Sequence, residues 1–135
     1  MSEESRAPSR ILVVDDSITS RTLEQSVLSA AGYDVTTAVD GSEAWRTIER
    51  QDFALVVSDV EMPHLDGFGL CERIRANART ALMPVIPVTS LDEPAQRARG
   101  LEAGADAYIT KSSFDQDTLI ETVRMLIGRN TRSVE

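Results

Sequence analysis

Three carboxylates stand directly after short apolar segments of the chain. Asp15 and Asp16 follow segment 10–14 (RILVV), and Asp59 follows segment 53–57 (FALVV) by one residue. Both segments are rich in β-branched residues and apolar at nearly every position, which is typical of parallel strands buried on both faces. A carboxylate at the end of such a strand is either a helix cap or a group that takes part in chemistry.

Two other reactive side chains stand at equivalent positions. Thr89 ends the apolar segment 85–89 (VIPVT), and Lys111 follows segment 106–110 (DAYIT). Lys111 is also the only lysine among 14 basic residues, the rest being arginine. This composition reflects either a general bias toward arginine or a position that requires a compact ammonium charge.

The placing of these side chains depends on the surrounding elements, which alternate as strand and helix. Apolar runs predict strands over 10–14, 33–39, 53–58, 85–89 and 106–110, and helical spacing predicts helices over 18–31, 42–50, 68–77, 92–103 and 114–127. The predicted caps are Ser17 and Asp92, and the predicted helix ends are Gly32, Gly104 and Gly128. Five strand–helix repeats require a parallel sheet with helices on both faces. Ligands of such sheets bind beyond the carboxyl ends of the strands, where the strand order reverses.

The composition bounds the class of protein. The chain has 135 residues, 41% apolar and 27% charged, which predicts one globular domain. Its formal net charge of -8 argues against nucleic acid as the main partner, because neutralising phosphates requires surplus base. The single cysteine is compatible with a reducing cytosol, and no membrane span or signal peptide is evident. We predict a cytoplasmic domain over 10–128, a flexible arm over 1–9 and a polar tail over 129–135.

The reactive side chains together suggest a metal-assisted site. Three carboxylates gathered on one edge of a sheet repel one another unless a cation lies among them. Carboxylate oxygens are ligands that Mg²⁺ prefers, and the sequence has no histidine or cysteine cluster for zinc. His64, the only histidine, is predicted to be a solvated loop residue. A carboxylate beside Mg²⁺, an ammonium and a hydroxyl can accept a phosphoryl group.

A structural explanation of the same acids is that each one caps a helix. Asp15 or Asp16 would then cap the first helix, and Asp59 would stabilise a turn in the following loop. Caps account for one acid at each helix start. They do not account for two adjacent acids and a third on the neighbouring strand, so a functional site is the favoured interpretation.

Four motifs carry a resemblance to a known family. They are VVDDS (13–17), SDVEMPHLDG (58–67), VTS (88–90) and AYITK (107–111). Through these motifs the chain over 10–127 resembles the receiver domains of two-component response regulators, the CheY-like family. The resemblance implies an α/β, flavodoxin-like three-layer sandwich, a doubly wound sheet of five parallel strands in the order 2-1-3-4-5.

The resemblance also implies a metal-binding set and an acceptor. Asp59 would accept a phosphoryl group from a phosphohistidine on a partner kinase. Mg²⁺ would be bound directly by Asp16 and Asp59, by the backbone carbonyl of Glu61 and, through a water, by Asp15.

Further implied roles concern the switch that follows phosphorylation. Thr89 and Lys111 would hold the phosphoryl oxygens. Tyr108 would swing as Thr89 moves toward the phosphoryl group, although from the residues alone it is equally well a core aromatic. The signal would leave through the face made by the fourth helix, fifth strand and fifth helix, where a downstream protein target would bind.

One segment resembles a particular subfamily, and two positions depart from the family pattern. The segment 111–119 (KSSFDQDTL) is similar to receivers fused to CheA-type chemotaxis kinases, which predicts a sensor histidine kinase of that type as partner or as the parent polypeptide. Ser112 stands where the family usually has a proline after a cis peptide bond. Pro87 lies inside a predicted strand, which predicts an irregularity or an N–H position that lacks a partner.

Three other functional classes compete with a signalling receiver. A Mg²⁺-dependent phosphatase that forms an aspartyl phosphate typically has a second aspartate two residues after the nucleophile, where this chain has Glu61. A flavin carrier with the same sheet would cradle phosphate in its first loop, where Asp15 and Asp16 would repel it. A receiver-like scaffold that is never phosphorylated would not need the complete set of acids, Thr89 and Lys111.

Overall fold

A computed structural model shows alternating strands and helices over the residues it describes, which are 8–90, 94–111 and 115–134. The strands in these ranges are β1 (Arg10–Val14), β2 (Asp34–Ala38), β3 (Leu55–Asp59), β4 (Val85–Thr89) and β5 (Ile109–Thr110). The helices there are α1 (Ile18–Ala30), α2 (Gly41–Arg50), α3 (Gly67–Ala76), α4 (Pro94–Ala103) and α5 (Gln116–Val134). None of these described helices is both long and apolar enough to cross a membrane.

The strands form one parallel sheet in the order β2-β1-β3-β4-β5. This confirms the predicted α/β class and strand order. The order reverses between β1 and β3, because the chain moves outward to β2 and then returns to the other side of β1. The carboxyl ends of all the strands share one edge, so the residues that follow β1 and end β3 are neighbours there.

Each face of the sheet carries its own apolar core, because successive side chains of a strand point to opposite faces. Leu12 and Val14 of β1 pack with residues of α2, α3 and α4 on one face. Ile11 and Val13 pack with residues of α1 and α5 on the other. β1, β3 and β4 are therefore buried on both sides, as their continuous apolar runs predict.

Polar side chains fix the starts of four described helices, one of which is α5, where Asp115 Oδ1 accepts from Thr118 N at 2.7 Å. Ser17 Oγ accepts a hydrogen bond from Ser20 N at 3.4 Å, which confirms the predicted cap of α1. Asp40 and Asp66 cap α2 and α3 by accepting from the backbone N–H groups three residues ahead. Gly32 and Gly104 follow α1 and α4 with φ of 102° and 95°, a left-handed conformation that glycine adopts at low cost.

The inward face of α1 does not include every apolar residue of the helix. Ile18 and Leu23 are apolar but are 68% and 44% exposed. The buried residues of the helix are Glu24, Val27 and Leu28. These lie three and four positions apart, so the burial follows the helical period even though one member is charged.

Two element boundaries differ from the prediction by more than two residues. α5 does not end at Gly128 but continues to Val134, through most of the predicted polar tail. Glycine costs a helix only about 1 kcal/mol relative to alanine, and no proline follows it, so nothing stops the helix there. β5 begins at Ile109 rather than at residue 106, because Asp106 pairs with Val85 through its side chain as well as its backbone.

Some predictions fall outside the described residues or at their margin. Residues 1–7 of the predicted arm, the predicted cap Asp92 and the Lys111–Ser112 peptide bond are outside them. Ser9, the last residue of that arm, is held to the sheet because its carbonyl accepts from Asp34 N at 2.9 Å.

Pro87 fits within a regular strand. Val85 N donates to Asp106 Oδ2 and Val85 O accepts from Asp106 N, so Val85 faces the β5 side of β4. Backbone groups of a parallel strand alternate in direction, so Pro87 faces that side as well, one residue before β5 pairs with Val88. The missing N–H thus falls one residue before the ladder with β5 begins, which is consistent with the second of the two predicted alternatives.

Gly67 fixes the return of the loop after β3, and we expect Gly67→Ala to destabilise the protein by about 2 to 3 kcal/mol. A Cβ there would lie 2.5 Å from Asp59 O and 2.9 Å from Val60 Cα, both backbone atoms that cannot move aside cheaply. Gly128→Ala is the matched control, because nothing lies within 4 Å of its Cβ position inside α5. It should stabilise the protein by up to about 1 kcal/mol. Urea denaturation measures both, and equal stability of the two variants would contradict the close approach at Gly67.

Candidate functional site

The carboxyl edge of the sheet brings the predicted site residues together. Asp59 is the last residue of β3, and Thr89 is the last residue of β4. Asp15 directly follows β1, and Lys111 directly follows β5. Because all these strands run in parallel, each strand end contributes one reactive side chain to the same edge of the sheet. The four side chains are two carboxylates, a hydroxyl and an ammonium.

Three carboxylates form the centre of the site. Asp15, Asp16 and Asp59 each offer an oxygen, and these oxygens lie within 4.8 Å of one another. Asp15 and Asp59 are only 1% and 3% exposed, whereas Asp16 is open to solvent. Among the residues that the structure describes, Asp15 Oδ2 and Asp59 Oδ1 have no hydrogen-bond partner. Buried acceptors of like charge without donors are costly unless a cation binds them.

Burial and mutual repulsion raise the pKa values of the buried acids. The pKa of Asp59 is raised to about 6, first by burial and then by the charges of Asp15 and Glu61, against the lowering effect of Lys111. Burial also raises the pKa of Asp15, although a hydrogen bond from Ser17 N at 2.9 Å opposes the shift. The negative charges of these buried acids therefore destabilise the metal-free site, and a bound cation would reduce that destabilisation.

Lys111 supplies a positive charge at the rim of the acid cluster. Its Nζ lies 3.5 Å from Asp59 Oδ1, and its side chain is one third exposed. Burial lowers the pKa of the ammonium, but the charges of Asp59 and Asp15 outweigh burial, so the net shift is upward. Lys111 is thus charged at neutral pH and lies within reach of an anion bound to Asp59.

The donor set fits Mg²⁺. The cluster consists of carboxylate oxygens alone, which are hard ligands that Mg²⁺ binds together with water. His64 is exposed in the β3–α3 loop with φ of 70°, so it belongs to no ligand set with the acids and is solvated as predicted. Cys71 is buried on α3, where its Sγ contacts Ala103 O at 3.2 Å. Neither soft-metal ligand type takes part, which is consistent with the expected cation.

Glu61 makes contacts through its side chain that the sequence did not predict. Its Oε2 accepts a hydrogen bond from Thr89 Oγ1. Its Oε1 accepts from Ser90 N at 3.2 Å and from Ser90 Oγ at 3.3 Å. The carboxylate of the residue two positions after Asp59 therefore binds the end of β4.

Tyr108 lies against α4. The Arg97 guanidinium carbon stands 4.9 Å from the centre of the Tyr108 ring, within the range of a cation–π contact. A Cβ at Gly100 would come 3.2 Å from the ring. The ring is half-buried and packs against the core beside α4, so its position fits a core aromatic as well as the hypothesised switch.

Glu24 is a buried acid near the site that the sequence analysis missed. It lies on α1, is 4% exposed and has an Oε1 without a hydrogen-bond partner among the described residues. With Ser20, Leu23, Val88 and Lys111 it lines a cavity of about 130 Å³. A signal was present, because Glu24 precedes Val27 and Leu28 by three and four positions and so shares their inward face.

Glu24 should make the metal-free protein less stable as pH rises. Burial, followed by the charge of Asp15, raises the pKa of Glu24 from an ordinary 4.5 to about 8. Between these values the folded chain retains a proton that the unfolded chain has lost, so stability falls as pH rises through this window. We expect Glu24→Gln to reduce the loss of stability between pH 5 and pH 8 by about 1 to 3 kcal/mol.

Urea denaturation at the two pH values, with a chelator present, measures this effect. Glu49→Gln is the matched control, because Glu49 is an exposed glutamate near the end of α2. An unchanged pH dependence in Glu24→Gln would contradict the burial of an ionisable carboxyl at this position.

Comparison with protein families and curated proteins identifies relatives of the chain. The family model for the response regulator receiver domain matches residues 11–124. A gliding motility regulatory protein of Myxococcus xanthus is 39% identical over 117 residues, which are 87% of this chain and 15% of that protein. A probable transcriptional regulator, ycf27, of Cyanophora paradoxa is 42% identical over 120 residues, which are 89% of this chain and 48% of that protein. The chain thus spans half or less of the length of these two relatives.

Solved structures give the same result. The receiver domain of a sensor histidine kinase from Pseudomonas aeruginosa, determined with a magnesium ion coordinated in its active-site cleft, aligns with a TM-score of 0.83 and 32% identity. The alignment covers 90% of this chain and 99% of that domain. The family match covers nearly the whole described fold, and the parallel sheet and the acid cluster at its carboxyl edge agree with it. The chain therefore belongs to the response regulator receiver domain family.

Proposed function

We propose that this chain is a phosphorylation-controlled signalling domain in which Asp59 accepts a phosphoryl group from a phosphohistidine of a sensor histidine kinase. The observation that carries the proposal is the position of Asp59 Oδ1. This oxygen is buried, has no hydrogen-bond partner among the described residues and lies 3.5 Å from Lys111 Nζ, beside two further acids. A carboxylate with a free lone pair beside a positive charge is suited to attack phosphorus.

The metal ligands in this proposal are Asp16 and Asp59, the backbone carbonyl of Glu61 and, through a water, Asp15. When bound, Mg²⁺ neutralises charge on the transferred phosphoryl group. Asp59 would form the new O–P bond as the P–N bond to the kinase histidine breaks.

Two side chains would then hold the transferred group. Lys111 would pair with one phosphoryl oxygen, since its ammonium already lies at Asp59. Thr89 would donate its hydroxyl to another, which requires that hydroxyl to leave Glu61. The product is an aspartyl phosphate on the chain itself, so the domain is a phosphoacceptor rather than an enzyme with a separate substrate.

The output of the switch is proposed to run through Tyr108. Movement of Thr89 toward the phosphoryl group would leave space at the former position of its side chain, and the Tyr108 ring would swing into that space. The ring and Arg97 lie on the α4–β5 side, where a cavity of about 260 Å³ also includes Leu101. Leu101 is 76% exposed, so this surface offers apolar and cationic contacts to a protein target.

The identity of the kinase is a finer proposal. We infer a CheA-type kinase in the cytoplasm, acting either in trans or as the parent polypeptide of this domain. The similarity of segment 111–119 to receivers of that type supports it. The solved receiver from Pseudomonas aeruginosa is itself part of a sensor histidine kinase. The curated relative ycf27 is instead named a probable transcriptional regulator. The rate of phosphoryl transfer from a CheA-type kinase should therefore be compared with the rate from a sensor kinase that acts on transcriptional regulators.

Acetyl phosphate with Mg²⁺ tests the acceptor function. The intact chain should gain the mass of one phosphoryl group, and peptide mapping should locate it in the peptide that contains Asp59. Omission of Mg²⁺ should prevent the gain. A purified, folded chain that remains unmodified with saturating acetyl phosphate and Mg²⁺ would reject the proposal.

A further inference from the structure

We propose that the Glu61 carboxylate is a latch that holds the hydroxyl of Thr89 in the unphosphorylated state and competes with the phosphoryl group for it. The inference rests on the proposed function, because it assumes that Thr89 serves the phosphoryl group on Asp59. It assigns to the Glu61 side chain a positioning role that is separate from the metal-binding role of its backbone carbonyl.

The latch consists of three hydrogen bonds between the β3–α3 loop and the end of β4. Glu61 Oε2 accepts from Thr89 Oγ1, and Oε1 accepts from the backbone N and the hydroxyl of Ser90. Glu61 is exposed, whereas Thr89 is fully buried. The contact joins residues 28 positions apart, so it fixes two separate segments of the site relative to each other.

The competition follows from the chemistry of a hydroxyl. A threonine hydroxyl has one proton to donate, so it serves one acceptor fully at any time. Here that acceptor is a carboxylate oxygen, and a carboxylate makes a stronger hydrogen bond than a neutral oxygen does. Thr89 cannot donate to a phosphoryl oxygen until this bond is broken, and the cost of breaking it weakens the phosphorylated state.

Charge favours release once the phosphoryl group is present. A phosphoryl group adds up to about two negative charges. Glu61 is close enough to Asp59 for its charge to act on that carboxyl, so it would be repelled by the added charge.

A cavity of about 320 Å³ beside Glu61 would receive the released side chain. It is also lined by Gln96 and Arg99 of α4, which offer an amide and a cation, and by Asp66, whose carboxylate already accepts from Gly69 N. Release of the latch would thereby add a contact to α4 as it frees Thr89.

A double-mutant cycle tests the latch by titration with beryllofluoride, a phosphoryl mimic, at saturating Mg²⁺. Glu61→Ala should tighten beryllofluoride binding in the native background, since it removes both the latch and a repelling charge. In a Thr89→Val background, which lacks the hydroxyl, Glu61→Ala removes the repulsion and the two bonds to Ser90 but no competition for the Thr89 hydroxyl. We therefore expect the gain in affinity to be about tenfold larger in the native background than in the Thr89→Val background.

Further variants separate the acceptor from its charge. Glu61→Gln retains an oxygen that accepts from Thr89 and removes the charge, so its coupling to Thr89 should lie between those of Glu61 and Glu61→Ala. Thr89→Ser keeps the hydroxyl and should restore the coupling that Thr89→Val loses. Thr89→Ala replaces Thr89→Val in the cycle should the latter not fold. Glu49→Ala, an exposed change near the end of α2, should leave beryllofluoride affinity unchanged.

The outcomes distinguish failure of the latch from failure of the proposed function. Equal gains from Glu61→Ala in the two backgrounds would overturn the latch and leave the acceptor function standing. A native chain that binds Mg²⁺ but no beryllofluoride would overturn both.

Discussion

Asp59→Asn should take up no phosphoryl group from acetyl phosphate in the presence of Mg²⁺. The amide has the shape of the carboxylate but lacks a nucleophilic oxygen, so no aspartyl phosphate can form at this position. Intact-protein mass spectrometry measures the result. We expect uptake to fall by at least about a hundredfold relative to the native chain.

Unfolding does not provide an alternative explanation for this loss. The raised pKa of Asp59, about 6, means that its ionisation at neutral pH costs the folded state free energy. An amide at residue 59 removes this cost and the repulsion from Asp15. The melting temperature of the metal-free variant should therefore be no lower than that of the native chain.

A matched control uses an acid that lies away from the site. Asp52 is exposed and pairs with Arg79 at 2.7 Å, so Asp52→Asn should be phosphorylated like the native chain. Undiminished uptake by Asp59→Asn would refute the assignment of Asp59 and would direct attention to Asp15 or Asp16 as the acceptor.

Lys111→Ala should weaken the response to beryllofluoride by about 10- to 100-fold, because a charged hydrogen bond contributes roughly 1.5 to 3 kcal/mol. The Lys111 ammonium lies 3.5 Å from the acceptor oxygen and can pair with an anion bound there. Mg²⁺ affinity should remain similar or rise slightly, because the variant removes a positive charge next to the metal ligands. Calorimetric titration with Mg²⁺, and then with beryllofluoride, measures the two effects separately.

The same variant should change the pH dependence of phosphorylation. Lys111 lowers the pKa of Asp59, so its removal raises that pKa. Asp59 must be ionised to attack, and the midpoint of the rate of phosphorylation should therefore move to higher pH. Lys111→Arg is the control: it keeps the charge and hence the midpoint, but its planar guanidinium should restore the response only in part. An unchanged beryllofluoride response in Lys111→Ala would contradict a phosphoryl-binding role for this lysine.

Much of the site could be predicted because its residues are tied to local patterns. Asp15, Asp59, Thr89 and Lys111 each stand at the end of an apolar run, and runs of that kind form the strands observed. Parallel strands bring their carboxyl ends to one edge, so the chemistry of the edge could be deduced from the residue after each run. The predicted cap Ser17 and helix end Gly32 likewise depend only on neighbours in the chain.

Other features are decided by packing as well as by such patterns. Helical spacing places Glu24 on the same face as Val27 and Leu28, but only the packing of α1 against the sheet buries that face and leaves Ile18 and Leu23 exposed. α5 continues beyond Gly128 because no helix-breaking residue such as proline follows it, and no residue pattern marks this continuation in advance.

Local residue patterns are enough to predict the alternation of elements, the fold class and the set of groups that gather at the carboxyl edge, because each depends on residue periodicity within a short segment. Which side chains those groups contact depends on how the folded segments are arranged in space. The bond between Glu61 and Thr89 is the clearest example, since it joins the β3–α3 loop to the end of β4. Contacts of this kind depend on the relative positions of segments far apart in the chain, which local propensities do not encode.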